Sequence, residues 1–206
     1  MRILYVSGSY IPSRRASSMH VMRMCAALAR QGHEVTLVSK ACHQRQESGV
    51  EDDFAFYGVE PAFRVAKLPR PAWRGGGLRY LSAVLRLADN GQRWELFYCR
   101  EVVAAWRLAR HGRPVVYEAH GLPTGRVSQW LHHRLLSAPG LRRLVLISDA
   151  LRRLFDGLGL LPDRADTVVA HDAADPIEVD TPAPSGDRPV RLGYVGHLYA
   201  GRGVEI

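Results

Sequence analysis

Seven short apolar segments, separated by stretches with helical periodicity, constrain the fold of this chain more than any other feature. They are rich in valine, leucine and aromatic residues, as strands of a parallel sheet covered on both faces usually are. Between most of them lie ten or more residues with a 3.6-residue apolar repeat, typical of the helix in a βαβ unit. The segments are 2–7, 33–39, 63–69, 95–99, 114–120, 141–148 and 166–170. The pattern predicts an α/β domain with a doubly wound, mostly parallel, Rossmann-like sheet.

The first helix has the clearest signals, over residues 18–31. Its apolar residues fall on one face, Ser17 or Ser18 is a suitable N-cap, and Gly32 fits the left-handed position that follows a helix. Two loops, 42–53 and 69–77, are expected to lack regular structure because they are polar or rich in proline and glycine. Further helices are expected at 78–89, 102–111, 127–136 and 148–158.

The composition changes near the end of the sequence. Residues 172–189 contain four of the twelve prolines, several acids and few apolar residues, so we expect an interdomain linker there. Residues 190–206, VRLGYVGHLYAGRGVEI, have the pattern of a strand and a glycine turn at the start of a second Rossmann-like domain. The expected organisation is one domain over 1–171, a linker over 172–189, and the start of a truncated second domain over 190–206.

Charge and composition limit the classes of partner. The 206 residues are 47% hydrophobic and have a formal net charge of +8, almost wholly from arginine, since Lys40 and Lys67 are the only lysines. This balance suits phosphate groups, anionic lipid surfaces or nucleic acid. Nucleic acid is not expected, because the basic residues are not gathered in one arm or recognition helix. Neither a disulfide framework nor a zinc site is expected, because Cys25, Cys42 and Cys99 lack the spacing for either.

No run of eighteen apolar residues occurs, and the sequence begins with an apparent buried strand. We therefore expect neither a membrane span nor a signal peptide, and a cytoplasmic location. Residues 70–86 mix arginines with tryptophan, tyrosine and leucines. That mixture suits a helix lying on the sheet, and equally a surface that attaches peripherally to the inner face of an anionic membrane.

The first β-to-α turn, residues 8–20, is a candidate anion site. Backbone amides at a helix start favour a phosphate, and Arg14 and Arg15 add positive charge. The turn lacks G-x-G-x-x-G, and the second strand ends in Ser39 and Lys40 where a nicotinamide enzyme usually places an acid. A dehydrogenase is therefore not expected. A long surface loop without a ligand explains the same residues.

Two histidines are expected near the ligand-binding edge of the sheet. His20 lies at the amino end of the first helix, and His120 ends the fifth strand just before Gly121. Glu118 should point to the same side of the strand as His120, because side chains two residues apart share a face. The alternatives are a purely structural histidine at the strand end and an ion pair between Glu118 and an arginine such as Arg100.

The ordered motifs resemble the retaining glycosyltransferases of family 4, which have the GT-B architecture. The similar segments are MRILYVS, ALARQGHEVTLVS, LFYCRE, VVYEAHG, VLISDALRRLF and RLGYVGHLYAGRGVE, and they cover nearly the whole chain. The resemblance implies a two-domain enzyme that transfers a sugar from a nucleotide-sugar donor. It also implies that the carboxyl-terminal domain mainly holds the donor and the amino-terminal domain mainly holds the acceptor, a carbohydrate or a lipid-linked molecule.

The resemblance assigns roles to individual residues. His120 matches the family histidine that approaches the transferred sugar, and is the candidate catalytic residue. Ser17 and Ser18 replace a Gly-Gly or Gly-Ala pair, and Arg202 replaces a lysine that pairs with the donor diphosphate. A guanidinium suits that place because its fork grips two phosphate oxygens. The donor-binding candidates are Ser17, Ser18, Gly196, His197, Arg202 and Gly203, and the acceptor-binding candidates are His20, Arg14 and Arg15.

The same resemblance implies that no metal or other cofactor is needed, since arginine and amides can neutralise the leaving diphosphate. The family's paired glutamates and nucleotide-base pocket belong to the second domain, so this chain is expected to be the acceptor-side half and inactive alone. Two other functions stay open. One is a non-catalytic binding or interaction module on the same fold, and the other is a different GT-B enzyme such as a sugar-nucleotide epimerase.

Overall fold

The chain folds around one seven-stranded sheet in a computed structural model, which describes residues 1–174 and Gly193. The strands are β1 (Arg2–Tyr10), β2 (Glu34–Ala41), β3 (Arg64–Pro69), β4 (Leu96–Cys99), β5 (Val115–Ala119), β6 (Leu141–Leu146) and β7 (Asp166–Val169). Their order across the sheet is β3-β2-β1-β4-β5-β6-β7, and every neighbouring pair is parallel. All seven predicted strands are present, so the prediction of a doubly wound, Rossmann-like α/β fold is confirmed.

The strand order changes direction between β1 and β4. The chain first proceeds from β1 outward to β3, and then returns to the other side of β1 to add β4 and the strands after it. In an open parallel sheet, the connections leave to opposite sides at such a switch point and a crevice opens beyond the carboxyl ends of the strands. The segments after β1 and β4 therefore border the natural place for a ligand.

Within residues 1–174, six helices cover the sheet: α1 (Ala16–Arg30), α2 (Asp53–Tyr57), α3 (Gly76–Ala88), α4 (Val102–Ala109), α5 (Gly125–Leu136) and α6 (Asp149–Gly157). Alternate residues of β1 face different apolar clusters, because strand side chains point to opposite faces in turn. Ile3 and Tyr5 pack with α1 and α2, whereas Leu4 and Val6 belong to the larger cluster under α3 to α6.

The start of α1 differs from the prediction. Arg15 occupies the N-cap without a side-chain hydrogen bond, and the helix begins at Ala16. Ser18 lies inside the first turn, where its hydroxyl donates to the carbonyl of Tyr10 at 2.9 Å. The prediction of a Ser17 or Ser18 cap was wrong, because the Ser18 hydroxyl bonds to the end of β1 and not to an amide of the helix. The left-handed glycine after the helix is confirmed, with Gly32 at φ +81°.

Helix α2 was not predicted. The segment before it contains only a 3₁₀ turn, His43–Arg45, and Asp52 then caps α2 by accepting from the amide of Phe54 at 2.8 Å. A helix of five residues is too short to show a 3.6-residue repeat. Its burial depends on Tyr57, whose hydroxyl donates to the carbonyl of Ser13 at 2.8 Å and ties α2 to the first turn.

Most of the predicted linker and second domain, residues 175–192 and 194–206, lies outside the described residues, so those boundaries stay predictions. The first 172 residues form one compact unit. Within the described part of the chain, no helix combines the length and the apolarity that crossing a membrane requires.

Candidate functional site

A buried carboxylate, that of Glu118 near the end of β5, organises the site. The residue is 3% exposed, and the hydroxyl of Tyr98 donates to its Oε2 at 2.5 Å. Its Oε1 forms a hydrogen bond with Nε2 of His120 and lies 3.4 Å from Nε of Arg100. The same oxygen lies 3.3 Å from Nε2 of His20. Four side chains from three separate segments thus converge on one carboxyl group.

These contacts determine the charge of Glu118. Burial alone raises the pKa of a carboxyl group, because it penalises the ionised form. Hydrogen bonds from His120, His20 and Tyr98 oppose that effect, and the positive charge of Arg100 adds to them. The net result is that the pKa of Glu118 lies well below its usual range. The carboxylate is therefore ionised at neutral pH and fixes the groups around it.

The two histidines meet at this carboxylate. Their rings are 5.2 Å apart between centroids and nearly perpendicular, at 86°. His20 is also positioned by Asp172, whose Oδ1 lies 3.4 Å from its Nδ1. The prediction that Glu118 and His120 share a face is confirmed. The ion pair with Arg100, offered as the alternative use of Glu118, is present as well, so the structural and ligand-facing roles coexist.

A cavity of about 400 Å³ opens beside His120. Its walls are Gly8 and Ser9 near the end of β1, Ser17 in the first turn of α1, Arg100 from the turn after β4, and the end of β5 with the following loop and α5. This is the crevice at the switch point of the sheet. The carboxyl ends of the central strands, and not a surface loop, therefore place His120 against a space of substrate size.

Tyr117 and His132 form a polar wall of this cavity that sequence reasoning missed. Nδ1 of His132 lies 2.8 Å from the carbonyl of Ser128, so this nitrogen must donate. Its Nε2 then accepts from the hydroxyl of Tyr117 at 3.1 Å. Burial lowers the pKa of His132, which favours this neutral form. The Tyr117 oxygen keeps lone pairs available for a ligand hydroxyl.

The predicted residues of the first turn have different environments. Ser17 lines the cavity, and its carbonyl accepts from Nη1 of Arg100 at 3.5 Å. Ser18 is fully buried, so its hydroxyl serves the fold. Arg14 extends into solvent with 81% of its side chain exposed and lies 3.4 Å from a carboxylate oxygen of Glu47. Arg15 is exposed at the helix cap. The ligand roles of these residues stay predictions.

Four further candidates, Gly196, His197, Arg202 and Gly203, lie outside the described residues. Their contact with a donor therefore stays a prediction. The site that can be described is built from the ends of β1, β4 and β5, the segments that follow them, and helices α1 and α5.

Two imidazoles and a carboxylate are a donor set that metals use. The ligand atoms of His20, Glu118 and His120 all lie within 4.8 Å of one another. However, the guanidinium of Arg100 is 3.4 Å from the Glu118 oxygen that would face the ion, and it already supplies a positive charge. The arrangement fits an internal charge network better than a metal site.

Comparison with known proteins identifies the family. Residues 16–171 match the family model described as a glycosyl transferase 4-like domain, which is more than half of the chain. The chain belongs to the glycosyl transferase 4-like domain family. The matched range contains the six helices of the described residues and the three histidines of the site, and it confirms the resemblance seen in the ordered motifs.

A solved structure shows the same fold. Sucrose-phosphate synthase from Thermosynechococcus elongatus superposes with a TM-score of 0.62 at 12% sequence identity, over 85% of this chain. The match covers 49% of the synthase chain, so this chain spans about half of that structure. A search of curated proteins found no significant match. At this identity the likeness concerns the fold alone.

Proposed function

We propose that this chain is the acceptor-side half of a retaining glycosyltransferase that uses a nucleotide-sugar donor. One observation supports the proposal most strongly. In a glycosyl transferase 4-like domain, His120 borders a cavity at the switch point of the sheet, held there by the buried carboxylate of Glu118. The location is where an open α/β fold binds ligands, and the histidine is oriented before any ligand arrives.

The reaction has simple requirements. The bond between the anomeric carbon and the donor phosphate oxygen breaks, and a bond between that carbon and an acceptor oxygen forms on the same face of the sugar. The acceptor proton passes to the departing phosphate. The protein must align the sugar with the acceptor hydroxyl and offset the charge of the leaving diphosphate.

His120 suits the first requirement. A carboxylate can only accept, so the Nε2 of His120 that contacts Glu118 must donate, and Nδ1 is left to bond with a sugar hydroxyl. The Tyr117 oxygen, which lines the same cavity, offers a second polar contact. We propose that these two groups hold the transferred sugar and the acceptor on either side of the bond that forms.

Charge on the leaving group is the second requirement. We propose that Gly196, His197, Arg202 and Gly203 contact the donor diphosphate from the other half of the enzyme, with Ser17 nearby on this half. Arginine and backbone amides would then neutralise the diphosphate without a metal. His20, Arg14 and Arg15 are proposed for the acceptor side, and the acceptor is a carbohydrate or a lipid-linked molecule.

The surface formed by the first turn of α3 and the loop before it supports a further element of the proposal, peripheral contact with an anionic membrane from the cytoplasmic side. Trp73 and Leu78 are 61% and 71% exposed, and Arg74 and Arg79 beside them are exposed as well. Tyr80 and Val84, by contrast, face the core. An apolar pair flanked by arginines is the composition that a membrane surface attracts.

The test is sugar transfer by the natural protein that contains this chain, assayed against a panel of nucleotide sugars and compared with His120→Gln. We expect transfer with retained anomeric configuration, and a loss on the order of 10²-fold in kcat for the variant with an unchanged far-ultraviolet spectrum. Ligand binding without transfer would instead indicate a non-catalytic module. Interconversion of sugar nucleotides without transfer would indicate an epimerase.

A further inference from the structure

A second cavity, of about 390 Å³, lies next to the first. Lys40 at the end of β2, Arg70 after β3 and Glu101 after β4 line it. Gly8 separates the two spaces: it lines the first cavity, and a methyl group added to it would lie 3.4 Å from Nζ of Lys40 and 3.9 Å from Cγ of Glu101. The two cavities are therefore neighbours across Gly8.

Positive charge exceeds negative charge around this second cavity. Within residues 1–174, Lys40 forms no salt bridge, and its ammonium lies 5.3 Å from the centroid of the Tyr80 ring. Burial lowers the pKa of Lys40, Glu101 partly restores it, and Arg70 and Arg45 lower it further. Glu101 has a second task, because its carboxylate caps α4 by accepting from the amide of Ala104 at 2.8 Å. A lysine in such a setting is stabilised by an added anion.

The shape of the cavity also suits a phosphate. Gly75 and Gly77, at the start of α3, form part of the wall. At Gly77 no atom lies within 4 Å of the position that a side chain would take, so a ligand can approach the backbone there, at the positive end of a helix of 13 residues. A lysine supplies a compact charge and an arginine supplies two parallel donors, the combination that grips phosphate oxygens.

We propose that this second cavity binds a phosphate group of the acceptor. The inference rests on the proposed function, in which the donor diphosphate lies against the other half of the enzyme. The acceptor hydroxyl then lies near His120 while its phosphate pairs with Lys40 and Arg70 on the far side of Gly8. The substrate class is a phosphorylated acceptor, in which the phosphate belongs either to a soluble sugar or polyol or to a lipid.

The binding test uses the 206-residue chain and inorganic phosphate, followed by amide chemical shifts at constant ionic strength. We expect the shifts to concentrate at Gly75, Gly77 and Glu101. Lys40→Met and Arg70→Gln should each weaken binding by roughly tenfold, as loss of a charge-assisted hydrogen bond does. The matched control is Arg142→Gln, which removes an exposed arginine on β6 and should change affinity less than twofold.

Two results would overturn the inference. Shifts spread evenly over the surface, or equal weakening in the Arg142 control, would mean that the net charge of +8 attracts phosphate without a site. Native-like spectra of the Lys40 and Arg70 variants exclude misfolding as the cause of weaker binding.

Two binding experiments with different ligands identify the source of the phosphate. Glycerol 1-phosphate tests the soluble class, and phosphatidylcholine vesicles containing phosphatidic acid test the lipid class. Dependence on Lys40 in either experiment supports the site, and dependence in neither experiment overturns it. Transfer by the natural protein without phosphate binding would defeat this inference alone. If phosphate binds at Lys40 but the natural protein shows no sugar transfer, the proposed function is wrong and the phosphate site is still supported.

Discussion

At the scale of single residues, the charge of Glu118 holds the site together, and its removal should be measurable. Glu118→Gln keeps the shape but leaves Arg100, whose side chain is only 10% exposed, without its counter-ion. We expect the free energy of unfolding to fall by about 1–3 kcal/mol in urea titrations. The matched control is Glu47→Gln, since its partner Arg14 is 81% exposed, and a change below about 0.5 kcal/mol is expected there. Equal effects in the two variants would refute the central role of Glu118.

The same carboxylate predicts a pH dependence. The pKa of Glu118 is lower in the folded protein than its ordinary value of 4.5. Its stabilising contribution is therefore complete above that ordinary value and is lost as the pH falls toward the folded pKa. Between pH 5 and pH 3, the urea midpoint of the wild type should decrease more steeply than that of Glu118→Gln. Parallel curves for the two proteins would show that other acids cause the acid sensitivity.

Some site residues could be found from the sequence and others could not, for physical reasons. Glu118 and His120 follow from the two-residue repeat of one strand, and the position of His120 follows from the rule for strand ends. His132 gave no such signal, because its partner Tyr117 is 15 residues away on another element and the contact depends on how α5 packs. Tyr98 was missed for the same reason, as it contacts Glu118 across two neighbouring strands.

At the scale of elements, the turn before β6 depends on Gly140. Its amide donates to the carbonyl of Ala109 at 2.9 Å, and its own carbonyl accepts from Val115 at 2.9 Å, which joins the end of α4 to β5. A methyl group there would overlap the carbonyl of Arg113 and lie 2.6 Å from that of Ala109. Gly140→Ala should therefore lower stability by about 1–3 kcal/mol in urea titrations.

A second glycine gives the matched control. Gly157 at the end of α6 has no atom within 4 Å of the added methyl position, and its φ is not positive. Gly157→Ala should be neutral or stabilising by about 0.5–1 kcal/mol. A destabilisation of Gly157→Ala as large as that of Gly140→Ala would mean that chain flexibility, and not the crowded turn, explains both.

The next prediction concerns the exposed arginines in the loop before α3 and in its first turn. Reversing both arginines, Arg74→Glu with Arg79→Glu, should abolish cosedimentation of the chain with vesicles of phosphatidylglycerol and phosphatidylcholine, because about 1 kcal/mol of attraction is lost for each cation near the surface. The control, Arg152→Glu with Arg153→Glu, makes the same charge change at exposed positions of α6. An equal loss of cosedimentation in both double variants would mean that net charge alone causes vesicle binding. If the wild type does not cosediment with vesicles, the proposed membrane contact is wrong.

Element boundaries show where local rules stop. The seven strands and five longer helices were predictable because burial imposes a periodic pattern over many residues. The beginning of α1 was not predictable, because the Ser18 hydroxyl could either cap the helix or bond to the end of β1. It bonds to the Tyr10 carbonyl, and that contact depends on the shape of the turn between them, which local sequence rules do not predict. Helix α2 depends similarly on Tyr57 reaching Ser13, a contact 44 residues apart.

At the scale of the whole molecule, the sheet brings two cavities to either side of one glycine, and that arrangement follows from strand order. β1 and β4 are neighbours although β2 and β3 separate them in sequence, so the turn after β1 contacts segments from both halves of the sheet. Alternating strands and helices predict a parallel sheet. They do not predict the order of the strands across the sheet. The proximity of Gly8 to Lys40 and Glu101 therefore becomes visible only in the structure.

The last prediction concerns the division of labour between two halves. The described residues supply His120 and the cavity beside it, and the proposed donor contacts, from Gly196 to Gly203, are expected to belong to a second domain. This chain covers 49% of the synthase chain that it resembles in fold. Because transfer needs both substrates aligned at once, the 206-residue chain alone should bind phosphate yet show no transfer from labelled nucleotide sugars above the uncatalysed background. The natural protein, assayed in parallel, should show transfer whose kcat falls on the order of 10²-fold in His120→Gln. Sugar transfer by the 206-residue chain itself, sensitive to His120→Gln, would contradict the division and place the donor site within these residues.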